Sequence, residues 1–172
     1  MTTEIHTAPF VISQKAAKAI DQWVAKYPKE QARSAIVAAL TLVQAQNGGW
    51  LSKPAIKAVA DYLGIPEVWA YEVVTFYDMF ETEPVGKYKI RICTNLSCQL
   101  RGCEEIVDHL EKRLGITLGE TTADGKFTLR EAECMAACGG APMCQINDKD
   151  YIENLTPEKM DKILNHLSKE DA

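Results

Sequence analysis

Six cysteines offer the most chemistry in this 172-residue chain, and all of them lie between positions 93 and 144. Four fall into two pairs, Cys93-x4-Cys98 and Cys134-x3-Cys138. In a reducing compartment a clustered set of this kind is more often metal-binding or catalytic than a disulfide framework. Four thiolates on two ferric ions with two bridging sulfides give a [2Fe–2S] site of net negative charge, which needs N–H groups and polar side chains aimed at its sulfurs. Thr94-Asn95-Leu96-Ser97 brings hydroxyls, a carboxamide and irregular backbone between the first pair, and Gly139-Gly140 allows close folding over the second. Structural zinc is the competing occupant, but it favours tighter knuckles and commonly histidine. His6, His109 and His166 all lie outside the two loops. A thiol oxidoreductase would show Cys-x-x-Cys at a helix start, and no such pair occurs. Spacing favours the cluster and leaves zinc and free thiols open.

Cys103 and Cys144 have simpler explanations. Cys103 falls in line with Ile106, Val107 and Leu110 on a helical face, and Cys144 shares a strand face with Ile146. Free cysteine commonly packs as a small hydrophobe, so both are expected in the core.

Two blocks of different period must position these residues. Residues 1–84 read as four helices. Ser13 caps the first, striped by Ile20, Trp23, Val24 and Tyr27. The second runs from about Lys29 to Asn47, with Ala32, Ile36, Leu40 and Val43 inward. The third opens at Ser52-Lys53-Pro54 and closes at Gly64, and the fourth follows Pro66 with Trp69, Val73, Phe76, Tyr77 and Phe80 inward. Trp50, Val68, Tyr71 and Met79 lie off the core spacing and are expected either to form a partner-contact patch or to fill the interface between the halves.

Pro84-Val85-Gly86 breaks this pattern, and residues 85–172 form the second block. Tyr88, Ile90 and Ile92 alternate with Lys87, Lys89 and Arg91, which predicts a half-buried strand. A helix over Arg101 to Leu114, strands over Phe127 to Glu131, Pro142 to Asn147 and Tyr151 to Asn154, and a helix from Thr156-Pro157 complete a small α/β unit. Met160, Ile163, Leu164 and Leu167 are the inward face of that last helix. Each cysteine pair directly follows a strand.

The formal net charge of −5 argues against nucleic-acid binding, which needs a basic face. No apolar run approaches the length that spans a bilayer, and Met1-Thr-Thr-Glu-Ile-His6 lacks the pattern of a signal peptide. A cytoplasmic location is therefore expected, with no direct membrane insertion. No G-x-G-x-x-G or Walker loop marks a nucleotide site, and Asn47-Gly48-Gly49-Trp50 follows a helix and reads as its stop. No Ser-His-Asp set or carboxylate pair can be defended, so no catalytic residue is assigned.

Longer motifs carry a resemblance. Asn47-Gly-Gly-Trp-Leu-Ser, Ala60-Asp-Tyr-Leu-Gly-Ile-Pro66, Val74-Thr-Phe-Tyr77 and Pro84-Val-Gly-Lys-Tyr88 come first. Cys93-Thr-Asn-Leu-Ser-Cys98, Leu100-Arg-Gly102, Gly119-Glu-Thr-Thr122, Glu133-Cys134-Met-Ala-Ala-Cys138-Gly139, Ala141-Pro142 and Ile146-Asn147 follow. From about residue 30 onward the chain resembles the thioredoxin-like [2Fe–2S] subunits of bacterial respiratory complex I. The resemblance implies a thioredoxin-like [2Fe–2S] ferredoxin domain preceded by an all-α helical bundle, with Cys93, Cys98, Cys134 and Cys138 as ligands. It implies an electron-transfer subunit of NADH:quinone oxidoreductase, peripheral to the cytoplasmic face of the inner membrane. FMN and NADH would sit on a partner flavoprotein, beside other iron–sulfur subunits of the peripheral arm. Similar subunits occur in NAD-linked hydrogenases and formate dehydrogenases. Cys103 and Cys144 depart from the usual pattern.

Overall fold

The computed structural model describes residues 9–169, so the start of the chain and His6 lie outside the described residues. Two compact units meet in sequence between Pro84 and Val85. Each has its own apolar core.

In the first unit, α1 (Gln14–Val24) starts at Ser13, whose hydroxyl accepts from the Ala16 N–H at 3.2 Å. Ile20 is fully buried, whereas Trp23 and Tyr27, expected on the same stripe, are exposed. The single helix expected over 29–47 is instead a 3-10 stretch, Lys29–Ala35, followed by α2 (Ile36–Gln46). Pro28 offers no side-chain cap and Gln31 takes a non-helical conformation, so the first turns tighten before the α-helix begins. In α3 (Lys53–Leu63) the Ser52 hydroxyl accepts from the Ala55 N–H, Pro54 lies in the first turn and Gly64 closes the end, all as the sequence predicts.

α4 (Glu67–Phe76) corrects part of the expected stripe, whose Val73 and Phe80 do pack with the core. Ala70 and Val74 face the core, Phe76 is 78% exposed, and Tyr77 lies past the helix end. The helix is apolar nearly all round, so periodicity does not choose a face, and the small Ala70 permits the closest packing. Tyr71 and Met79 pack against the core of Ile20, Leu40, Val43 and Ile56, which removes them from the expected contact patch. Val68 remains exposed.

The second unit is a four-stranded sheet of order β2-β1-β3-β4. β1 (Tyr88–Cys93) runs parallel to β2 (Phe127–Ala132), with Cys93 opposite Ala132. β3 (Cys144–Ile146) is antiparallel to β1, and β4 (Asp150–Ile152) to β3. A parallel pair needs a crossover, supplied here by α5 (Leu96–Leu100) and α6 (Cys103–Leu114). α6 and α7 (Pro157–Lys169) lay Ile106, Leu110, Met160 and Leu164 against Ile90, Ile92, Leu129 and Ile146.

Three expectations are corrected in this unit. The backbone between Cys93 and Cys98 is not irregular throughout, because Leu96 opens α5. Gly102, at φ 86, separates α5 from α6, so the helix expected from Arg101 starts at Cys103. All six residues of β1 are buried rather than alternate ones. β1 has a neighbour on both edges, and its buried charges are matched: Lys89 Nζ lies 2.9 Å and Arg91 Nη1 3.6 Å from the Asp148 carboxylate. Burial of a charge is tolerable only with such pairing. Asn147 and Asp148 both have positive φ and turn the chain from β3 into β4; β3 starts two residues later and ends one earlier than expected, and β4 starts one residue and ends two residues earlier.

Candidate metal centre

Two loops leave the same end of the sheet from neighbouring parallel strands. Cys93 is the last residue of β1, and Cys98 sits in the short α5 that follows. β2 ends at Ala132, directly opposite Cys93, and the chain passes through Cys134 to a 3-10 turn, Cys138–Gly140. Cys93 and Cys98 are buried together with Ala132, Met135, Ala141 and Met143. Cys134 and Cys138 are exposed on the second loop. The structure thus brings the first pair together and leaves the second pair outside the buried cluster. Among the described residues no three cysteine, histidine or acidic side chains converge at metal-ligand spacing.

The donor set nevertheless suits an iron–sulfur cluster. It is all thiol, without histidine, and lies on two loops whose apolar residues Met135 and Ala137 pack into the pocket holding Cys93 and Cys98. Backbone N–H groups already address the sulfurs. Ala136, held at φ 57, directs its N–H to Cys134 Sγ at 3.4 Å, and the Met143 N–H bonds to Cys98. Such N–H···S contacts offset the negative charge that four thiolates and two sulfides bring. Burial, then the adjacent Cys93 thiol, pushes Cys98 up to about 11. A thiol so placed ionises only when a metal compensates its charge. Zinc would need four thiolates with the same compensation, but the open, unequal loops lack the tight knuckles it favours.

Gly140 has a definite steric role, because a Cβ there would collide with the Glu153 side chain; Gly139 faces open space. Asn154 N–H donates to the Gly140 carbonyl at 2.6 Å, and Leu155 N–H to the Pro142 carbonyl at 2.9 Å, which tie the second loop to the start of the α7 segment.

Cys103 is buried, as its place on the apolar face predicts, but in a different cluster from Ile106 and Leu110. As the first residue of α6 it packs with Cys93 and Cys98. Burial, followed by Cys93 and the nearby carboxylates of Glu104 and Glu131, raises its thiol pKa. Cys144 lies in the sheet core with Ile146, as the strand alternation predicts, and burial pushes its thiol up to about 12.

Sequence reasoning names Thr94 as a hydroxyl beside the first cysteine pair but misses Glu131 and the bond between the two. Thr94 Oγ1 donates to Glu131 Oε1 at 2.5 Å, across the ends of β1 and β2. Both line an open cleft of about 370 Å³ beside Cys103, Gln99 and Glu104. The only signal in the sequence is adjacency: Thr94 follows the first ligand, and Glu131 precedes Cys134 by three positions.

A thioredoxin-like sheet with cysteine loops at one end defines a ferredoxin-type class of protein. The model of the family described as thioredoxin-like [2Fe-2S] ferredoxin matches residues 20–168, and the chain belongs to that family. It is 51% identical over 158 residues to a component of the NADH-quinone oxidoreductase of Rickettsia conorii, covering 92% of this chain and 94% of that protein. It is 44% identical over 162 residues to the "NADH dehydrogenase [ubiquinone] flavoprotein 2, mitochondrial" of Dictyostelium discoideum, covering 94% of this chain and 65% of that one. An air-oxidised NAD+-reducing [NiFe]-hydrogenase shares the fold at TM-score 0.65 and 21% identity. That match covers 76% of this chain, which spans only 23% of the hydrogenase chain. Among the described residues no helix is long and apolar enough to cross a membrane.

Proposed function

We propose that this chain is the small electron-transfer subunit of an NADH:quinone oxidoreductase, with one [2Fe–2S] cluster held by Cys93, Cys98, Cys134 and Cys138. The observation that carries this reading is the all-thiol donor set on two loops at the end of adjacent parallel strands, with N–H groups already on Cys98 and Cys134. Bound there, the cluster supplies one-electron exchange with little change of geometry.

The chain's own residues do the rest. β1 and α5 fix the first pair in an apolar pocket that excludes water, and the N–H groups of Met143 and Ala136 stabilise charge on the sulfurs. FMN and NADH belong to a partner flavoprotein in this reading, with which this chain exchanges single electrons. Residues 85–172 act as the cluster domain and residues 1–84 as a helical bundle for docking, with the exposed Phe76, Tyr77 and Val68 available to a partner. The assembly lies against the cytoplasmic face of the membrane through other subunits.

The test is metal analysis and reduced-state EPR of the purified chain, followed by tagged isolation of its complex. About two irons and two sulfides per chain, with an FMN flavoprotein co-isolating, is the expected result. One zinc and no colour would overturn the cluster. A hydrogenase or formate dehydrogenase component isolated with the chain would instead change the parent complex.

A further inference from the structure

We propose that Glu131, gripped by Thr94, positions the two cysteine loops against each other and holds the reduction potential of their cluster down; the inference rests on the ligand assignment above. Thr94 is the residue after Cys93, and Glu131 lies opposite Ile92 on the strand that leads to Cys134. The Thr94 side chain donates to the Glu131 carboxylate at 2.5 Å, and the Thr94 N–H donates to the Ala132 carbonyl at 3.1 Å. The first loop is therefore bound to the root of the second through both side chain and backbone. A hydrogen bond to an ionised acceptor is among the stronger kinds.

The bond also fixes where a negative charge sits. Glu131 shares its cleft with Glu104 and Asp108, and no lysine or arginine lines it among the described residues. These carboxylates lie close to the thiols, since Glu104 and Glu131 line the same cleft as Cys103, which packs with Cys93 and Cys98 in one buried cluster. One-electron reduction adds negative charge to an already anionic centre. A fixed carboxylate beside it opposes that step, and the reduced form becomes harder to reach.

The test uses the full-length, cluster-loaded chain. Glu131→Gln keeps the shape and an oxygen that accepts from Thr94 but removes the charge. Its expected effect is an unchanged iron content and EPR line shape, with about a threefold higher reduced-to-oxidised ratio at fixed poise in low salt. On the 59 mV per decade of a one-electron couple this is about 28 mV, and it should shrink as salt screens the exposed carboxylate. Asp150→Asn, on β4, serves as a charge-matched control and should leave the potential unmoved. Thr94→Val should speed iron loss to a chelator and broaden the EPR signal, and Thr94→Ser should restore both. A full cluster with no shift in Glu131→Gln, or an equal shift in Asp150→Asn, overturns the proposal alone. A wild-type chain that binds no [2Fe–2S] cluster overturns the ligand assignment and the proposal with it.

Discussion

Cys98 and Cys103 share one apolar pocket, yet their positions in the chain give them different tasks. Cys98 receives an N–H from Met143 and touches Cys93, whereas Cys103 begins a helix and faces a cleft. Replacing Cys93, Cys98, Cys134 or Cys138 by alanine should each abolish the visible chromophore and the reduced-state EPR signal. Cys103→Ala and Cys144→Ala should keep both; a bleached Cys103→Ala with a coloured Cys98→Ala would reverse the assignment. Cys144 also makes a prediction about pH. Its thiol titrates near 9.0 in the unfolded chain and at about 12 when folded. The unfolded state therefore releases this proton first. The associated stability is intact below pH 9 and declines between pH 9 and 12, by about 1.4 kcal/mol per unit. Cys144→Val should flatten that part of a urea-midpoint profile against pH. The two ligand pairs are legible in the sequence because their spacing is local. The burial of Cys103 is legible too, but not its neighbours, because helical periodicity ranks residues around an axis and does not tell which cluster each turn packs in. Glu131 is invisible there because its partner, Thr94, is remote in sequence and meets it only through β1–β2 pairing.

Among the elements, those with chemical punctuation are the most legible. α3 carries a hydroxyl cap, a first-turn proline and a terminal glycine, and its limits follow from them. α4 has no side-chain cap and apolar residues on every side, so its inward face is decided by packing that no window of sequence contains. β1 shows the same limit from the opposite direction: its lysine and arginine suggest solvent, but Asp148, 57 residues beyond Arg91, makes them tolerable inside. The second cysteine loop gives a prediction at this scale. Gly140→Ala should lower the melting temperature and weaken cluster retention, because its Cβ meets Glu153, while Gly139→Ala should be tolerated. Thermal melts with iron quantitation on the two variants decide it; equal loss from both would show that backbone freedom, and not the Glu153 contact, is what the loop requires.

At the scale of the whole molecule, two cores in two units imply separable duties. A fragment of residues 85–172 should retain iron and its spectrum yet fail to co-isolate with the flavoprotein partner. A fragment that binds the partner at full affinity would move docking onto the cluster domain. The arrangement of the two cysteine loops has a further effect on the chain as a polymer. They meet at one end of the sheet but are remote along the sequence, with about 40 residues of crossover between Cys93 and Cys134, so four metal–sulfur bonds would knot the chain into a loop that survives unfolding. By the entropy of closing such a loop, a covalent tie of this kind is worth about 4 kcal/mol against the open coil. Heat should therefore erase the sheet of the metal-free chain several degrees before that of the loaded one, and release of iron, rather than loss of packing, should set the rate at which the loaded chain unravels.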